Sequence, residues 1–471
     1  MPEPSHRRQL LVLAICCMSL LIVAIDTTIL NVALPSIQKD LHASVSGLQW
    51  TIDAYTLVLA SLLMLSGSAA DRLGRRRIFQ TGLVLFTAGS VLCSLAPGLG
   101  WLVAFRMVQA VGGSMLNPVA MSIIANTFTD PRERARAIGV WGGVVGISMS
   151  AGPIVGGALV DSVGWRSIFW VNVPVGLAAL LLTAAYVPES RAPRPRRLDP
   201  VGQGLVIALL GGLTYAIIEA PAAGWTSPLI LGSVAVAVCA LAALLVYEPR
   251  RPEPLIDVRF FRSVPFSGAN LIAVCAFAAL GGFLFVSTLY LQHERGLSAF
   301  ATGLYLLPMA TMPLVCAPLS GRIVGSRGPR LPLLVAGVFL TASGVLFAAT
   351  DAESSNALLF PAFVLFGVGF GFVNAPITNT AVSGMPRAQA GVASAIASTS
   401  RQVGSSLGVA VIGSAIAAGM GTAAWAIIAG CGAAVLVLGA LTTGGWAGRT
   451  AAHAADLLRD GDEQGLVAAR A

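Results

Sequence analysis

Charge is what this sequence has least of. Of its 471 residues only 11% are charged, while 56% are hydrophobic. Soluble domains carry about 25% charged residues, so the chain reads as a polytopic membrane protein, and no stretch is long and polar enough for a separate soluble domain. Lysine is nearly missing: Lys39 stands alone, and the other 28 basic residues are arginines, a bias that reflects base composition. Histidine is scarce too. His6, His42, His293 and His453 all fall near the termini or in loops. No buried His–Asp, His–His or Ser–His constellation is therefore available, which argues against a membrane enzyme. A GxxxxGK[ST] phosphate loop is absent, which argues against an ATP-driven pump. The seven cysteines, Cys16, Cys17, Cys93, Cys239, Cys275, Cys316 and Cys431, lie inside apolar runs without disulfide or zinc spacing and read as small hydrophobes. Neither a metal nor a cofactor is expected.

What is present is apolar sequence in lengths that cross a bilayer, about 20 residues each. The runs are approximately 9–32, 47–70, 78–96, 101–128, 137–160, 168–187, 200–219, 228–247, 266–290, 299–320, 331–349, 356–380, 389–418 and 423–446. His6, Arg7 and Arg8 before the first run resemble a signal peptide. That run is long, contains Asp26 and lacks a small-x-small cleavage site, so it is expected to stay as the first span. The arginines test the count. With the N-terminus inside, 24 of the 29 basic residues fall in inside loops or tails, as the positive-inside bias requires. Both termini are thus expected to be cytoplasmic, and the net charge of +8 reflects membrane topology rather than nucleic-acid binding.

Two Pro- and Arg-rich stretches, 188–200 and 248–265, look like joints. They divide the chain into an N-terminal six-helix bundle (1–190), a linker with two extra spans (191–265), a C-terminal six-helix bundle (266–446) and a tail (447–471). A faint repeat supports two related halves. Gly67 and Gly74 are seven apart with Arg76 two further on, and Gly321, Gly328 and Arg330 repeat that spacing; Gly325 stands where Asp71 does. Many transporters are built from such repeats, with the substrate path at their interface.

Residues 25–35, IDTTILNVALP, hold the one charge between Arg8 and Lys39. A carboxylate at Asp26 costs about 2.5–3.5 kcal/mol to insert unless it is protonated or faces a polar cavity. Thr27, Thr28 and Asn31 lie on nearby turns and could hydrogen-bond it. It is either paired with a basic neighbour or a site that gains and loses a proton. Arg106 in span four is the obvious partner, unless it snorkels past Trp101 to an interface. Asp53 opens span two, as a second proton site or a solvated outer carboxylate. In the loop after span two, Gly67 allows close helix approach, Gly74 permits a turn with positive φ, and Asp71 can accept from helix amides or pair with Arg72, Arg75 or Arg76. In span five, Gly142, Gly146, Gly152, Gly156 and Gly157 allow close helix packing, and Pro153 kinks the helix. Glu219 reads as exposed. Asn31, Gln109, Asn374 and Asn379 are possible cavity groups, and Arg401 faces either the cavity or a neighbouring helix.

These residues resemble a known family. Gly67–Arg76, Arg106-x-x-Gln109, Gly152-Pro153-x-x-Gly156-Gly157, Asp26–Pro35 and Trp165-Arg166…Asn172-Val-Pro174 are similar to motifs of the major facilitator superfamily. The nearest type is the fourteen-span drug:proton antiporters (EmrB/QacA type). Ala110 departs from the family's usual glycine, and span ten lacks the acid that some relatives carry. The resemblance implies an all-α fold of two six-helix bundles plus two inserted helices, a monomer in the plasma (inner) membrane, and rocker-switch alternating access. Asp26 would exchange protons beside Arg106, with Asp53 as an acid of the cationic-drug type. Gly67, Asp71, Arg72, Gly74, Arg75 and Arg76 would gate, Asp71 and Arg72 latching the two halves. Gly152, Pro153, Gly156 and Gly157 would form the antiporter helix. The partners would be protons, lipid and a small amphipathic molecule such as a drug, dye or secreted metabolite. Proton-coupled uptake by symport is the competing reading, and the Gly152-Pro153 motif argues against it.

Overall fold

The structure is a computed structural model describing residues 6–192, 199–251, 254–351, 353–383, 385 and 390–454. Among these residues there are fourteen long helices and no strand. They are α1 (His6–Leu41), α2 (Val45–Leu73), α3 (Arg75–Ser94), α4 (Leu99–Thr127), α5 (Pro131–Ser162) and α6 (Ser167–Tyr186, with a turn at Val171). Next come α7 (Pro200–Ala223), α8 (Pro228–Tyr247), α9 (Val264–Leu289), α10 (Ala299–Arg327) and α11 (Arg330–Ala348), then α12 (Asn356–Val382), α13 (Ala390–Ala417) and α14 (Gly421–Thr442). Thirteen are long and apolar enough to cross a membrane. The fourteenth, α13, has 28 residues and so is about 42 Å long. Its sequence carries Ser394, Ser398, Ser400, Arg401, Gln402 and Ser405, which dilute its apolar character.

Helix ends do not follow hydropathy alone: α1 runs to Leu41 and α10 to Arg327, beyond the apolar runs. Asp130 accepts at 2.9 Å from the amides of both Arg132 and Glu133, a capping arrangement for an N-terminus. Ser44, Asp199, Ser227, Ser263 and Ser298 cap their helices in the same way. Gly74 and Gly328, the second glycines of the two repeat copies, end α2 and α10 with φ of +118° and +81°.

Small residues bring the helices backbone to backbone. Gly404 and Gly408 of α13 sit against Val274 and Ala278 of α9. Aromatic rings fill the second half, where Phe283 stacks on Phe366 at 3.8 Å and Phe347 on Trp425 at 4.4 Å. α7 and α8 pack on each other, and α7 lies over the seam between α2 and α13. Gln203 donates to the Ser61 carbonyl and Ser414 to the Ile217 carbonyl at 2.7 Å. Glu219, expected to be exposed, is half-buried and accepts from Trp50 Nε1 at 2.7 Å, because α7 turns it onto α2. α8 is apolar on every side and mostly uncovered by protein, as befits a helix facing lipid.

The two halves meet mainly at the end of the bundle distal to His6. Asp161 caps α10 across the junction, accepting from the amides of Ala299 and Phe300 at 3.2 and 2.9 Å. Gln292 donates to the Val32 carbonyl at 2.9 Å, and Gln49 to those of Val409 and Ala410 at 3.2 and 2.7 Å. Toward the other end, α4 has no extensive packing with α10, α11 or α12 among the described residues. There α5 and α10 are largely uncovered: Val140 and Val315 are 57% and 67% exposed. Residues 445–454 continue as helix, and Thr450 Oγ1 accepts from the Val264 amide at 3.0 Å. Part of the 188–200 joint, part of the 248–265 joint and most of the 447–471 tail lie outside the described residues.

Candidate functional site

Helices α1, α2, α3, α4 and α6 converge on one buried polar network. Asp26 and Arg106, each 1% exposed, form an ion pair between Oδ2 and Nη1. Snorkelling of Arg106 is therefore excluded: α4 carries it into the protein, where a carboxylate receives it. The other Asp26 oxygen, Oδ1, accepts from Gln109 Nε2 at 2.7 Å and from Asn172 Nδ2 at 3.0 Å. Both amides also reach Ser90 Oγ, at 2.8 and 3.3 Å. Arg106 donates again to Gln109 Oε1 at 2.7 Å and to the Thr51 carbonyl at 3.3 Å, and its guanidinium carbon lies 4.2 Å from the Tyr55 ring centroid. The charge pair is thus held by neutral donors and an aromatic face, which offset part of the cost of removing two ions from water. Two polar atoms of this shell, Tyr55 Oη and Asn172 Oδ1, have no hydrogen-bond partner.

Sequence reasoning reached Asp26, Arg106 and Gln109, and quoted Asn172 only within a motif. Gln109 is buried inside the network rather than lining open space. Asn31 is buried too and donates to the Thr27 carbonyl at 2.9 Å. Thr28 turns toward α5 and donates to its own helix and to the Ser148 carbonyl, not to Asp26. Ser90 was missed. Its signal is the polar stripe Thr87, Ser90, Ser94 in the apolar later part of α3, all three buried.

α5 packs directly behind Asp26. A Cβ at Gly152 would meet Thr28, and one at Gly156 would meet Ile29 Cγ1 at 2.5 Å. On the opposite side, a Cβ at Gly157 would lie 2.6 Å from Phe300 Cα, and one at Gly303 of α10 would strike the Pro153 carbonyl. Gly152, Pro153, Gly156 and Gly157 therefore wedge α5 between α1 of the first half and α10 of the second. Gly139, Gly142 and Gly143 on the same helix meet nothing within 4 Å.

Asp53 is fully buried, not a solvated outer carboxylate. It sits on the α2–α13 seam near Ser406, with Thr56 Oγ1 donating to Oδ1 at 3.4 Å and no partner for Oδ2. No cation pairs with it among the described residues. In the loop after α2, Asp71 pairs with Arg75 at 2.8 Å. Glu189, from the segment after α6, accepts from the Arg76 amide at 3.1 Å and fills the space beside Gly74. Arg72 is exposed, and Gly67 approaches Pro118 of α4, 3.9 Å from where its Cβ would be. Among the described residues, the hydrogen bonds and ion pairs of Asp71, Gly74, Arg75 and Arg76 stay in the first half, apart from the Ala192 amide of the linker on the Asp71 carbonyl at 3.1 Å, and none reaches the second half. Asn374 is half-buried and Asn379 exposed on α12.

The sequence profile of the Major Facilitator Superfamily matches residues 16–409. The chain belongs to the Major Facilitator Superfamily. It is a multi-pass membrane transporter, not an enzyme. It is 41% identical over 404 residues to the tetracenomycin C resistance and export protein of Streptomyces glaucescens, covering 85% of this chain and 74% of that one. It is 38% identical over 413 residues to the multidrug resistance protein Stp of Mycobacterium tuberculosis H37Rv, covering 88% and 77%. In fold it is similar to a POT family transporter solved with 5-aminolevulinic acid, with a TM-score of 0.71, 14% identity, and coverage of 92% of this chain and 96% of that chain.

Proposed function

We propose that this transporter is a proton-coupled antiporter of the fourteen-span, EmrB/QacA type that exports amphipathic small molecules. Its relatives are named for multidrug resistance and for antibiotic resistance and export. The observation that carries the coupling is the Asp26–Arg106 network set against the Gly152-Pro153 helix. With both termini cytoplasmic, contact at the distal end makes this an inward-facing state. Arg106, Gln109 and Asn172 all donate to the Asp26 side chain in this state. When the halves 1–190 and 266–446 rock, α5 moves against α10 of the second half and Asp26 gains access to the other side, where it is protonated. Asp53, buried without a cation on the seam, is the second proton site. Asp71 and Arg72 would swing from the Glu189 side to latch the two halves once the cytoplasmic end closes.

The energetics suffice. One charge crossing 100 mV yields about 2.3 kcal/mol, and a tenfold concentration gradient costs about 1.4 kcal/mol. One or two protons can hold a substantial outward gradient of a neutral or singly charged solute. The direction is tested in intact cells loaded with an amphipathic dye. Expression should lower steady-state accumulation, and an uncoupler should restore it. Higher accumulation on expression would instead establish uptake by symport.

A further inference from the structure

Building on the exporter reading, we propose that Arg401 anchors an anionic group of the cargo, so that preferred substrates are planar amphipathic anions such as aromatic carboxylates and phenolates. The spans hold four deep charges. Asp26 and Arg106 neutralise each other. Asp53 is sealed in the α2–α13 seam. Arg401 remains, twelfth of the 28 residues of α13, well away from either helix end.

A charged arginine at such depth requires water or a partner. Among the described residues Arg401 makes no ion pair. Its Nη2 donates to Thr378 Oγ1 of α12, while its buried Nε has no acceptor. The backbone-close packing of Gly404 and Gly408 on α9 leaves no room between those helices, so the side chain turns toward α12. There its guanidinium carbon lies 5.9 Å from the Phe277 centroid, and Phe277 meets Phe370 edge-on at 5.3 Å. Asn374 and Thr378 continue the Phe370 face of α12 at four-residue spacing. Among the described residues this helix has no extensive packing with α4 of the first half, and on it Thr378 is exposed and Asn374 half-buried.

A guanidinium with an unfilled donor beside the half-buried Phe277 ring matches a carboxylate or phenolate on an aromatic body: the fork binds the oxygens and the Phe277 ring packs on the remainder. A cation there would be repelled by Arg401. A tether from α13 to α12 would need a hydrogen bond to Thr378, but no charge.

The test compares two dyes with one xanthene skeleton and opposite charge, anionic fluorescein and cationic rhodamine 123. Binding is followed by fluorescence anisotropy on the full chain in lipid nanodiscs, without a proton gradient. Wild type should bind fluorescein about tenfold more tightly than rhodamine 123, the scale of one charge-assisted hydrogen bond. Arg401→Gln should abolish that preference by weakening fluorescein binding, without weakening that of rhodamine 123. Arg401→Lys should retain part of it. Thr378→Val, which removes the tether but keeps the charge, should retain all of it. The proposal is overturned if wild type does not favour fluorescein, if Arg401→Gln weakens both dyes alike, or if Thr378→Val matches Arg401→Gln. Because no gradient is applied, loss of the dye preference would leave the proton-driven export reading standing.

Discussion

Asp26 and Arg106 show at the residue scale how a costly pair can be both stable and useful. Removing one partner of a buried ion pair costs about 3–5 kcal/mol, because the other charge is left uncompensated. Arg106→Ala should therefore lower the melting temperature of the detergent-purified protein. Arg106→Ala combined with Asp26→Asn should recover much of the loss, since no isolated charge remains. A double variant no more stable than Arg106→Ala would mean the pair is not the source of the stability. Arg106→Lys keeps the charge but not the fork that reaches Asp26, Gln109 and Thr51 together, so it should recover stability only partly. The sequence made the charges themselves legible, because each is solitary in an apolar run. Their neutral partners were harder to find. Ser90 and Asn172 become ligands of one carboxylate only when three helices converge, and no spacing along one helix encodes that. Asp53 illustrates the limit: its position in the chain suggested an outer vestibule, but α7 and α13 cover it.

At the scale of the helix, α5 is the element packed against both halves, with α1 on one face and α10 on the other. Its distal glycines are in close contact, whereas Gly139 lies in open space. Gly156→Leu should stop dye extrusion at normal membrane expression, because Ile29 of α1 occupies the place of the new side chain. Gly139→Ala should extrude like wild type. If both behave alike, helix propensity rather than packing would be the cause. Gly74 is a different case: its φ of +118° and the adjacent Glu189 carboxylate mean that Gly74→Ala is strained by about 1–3 kcal/mol, to be read as lower thermal stability. Both glycine sets were visible as motifs. Sequence spacing indicated that α5 packs closely, but not that it packs on α1 with one face and on α10 with the other. The apolar runs located all fourteen helices and their order. Some helices, α1, α5 and α10 among them, extend past their runs into more polar residues.

For the whole molecule, the proposed alternating access turns on which end of the bundle holds the two halves together. Gly146 meets Leu314 across the halves. On the same two faces, Gly142 of α5 and Gly321 of α10 meet nothing within 4 Å. Alternating access would bring those small-residue faces together. A Gly142→Cys, Gly321→Cys pair should cross-link slowly in the resting protein and faster under turnover, and the cross-linked form should stop transporting. A pair that cross-links at one rate in every condition would contradict rocking about α5. The number and order of the helices were legible from apolar runs, whereas the contacts between distant segments that hold one end together were not. The central claim is that proton movement passes through Asp26. The most direct measurement uses everted membrane vesicles with an imposed proton gradient, following a transported dye and the gradient itself for wild type and Asp26→Asn. Wild type should accumulate dye and dissipate the gradient, and Asp26→Asn should do neither while remaining in the membrane at wild-type level. Dye accumulation by Asp26→Asn equal to wild type would make Asp26 structural and the coupling claim wrong.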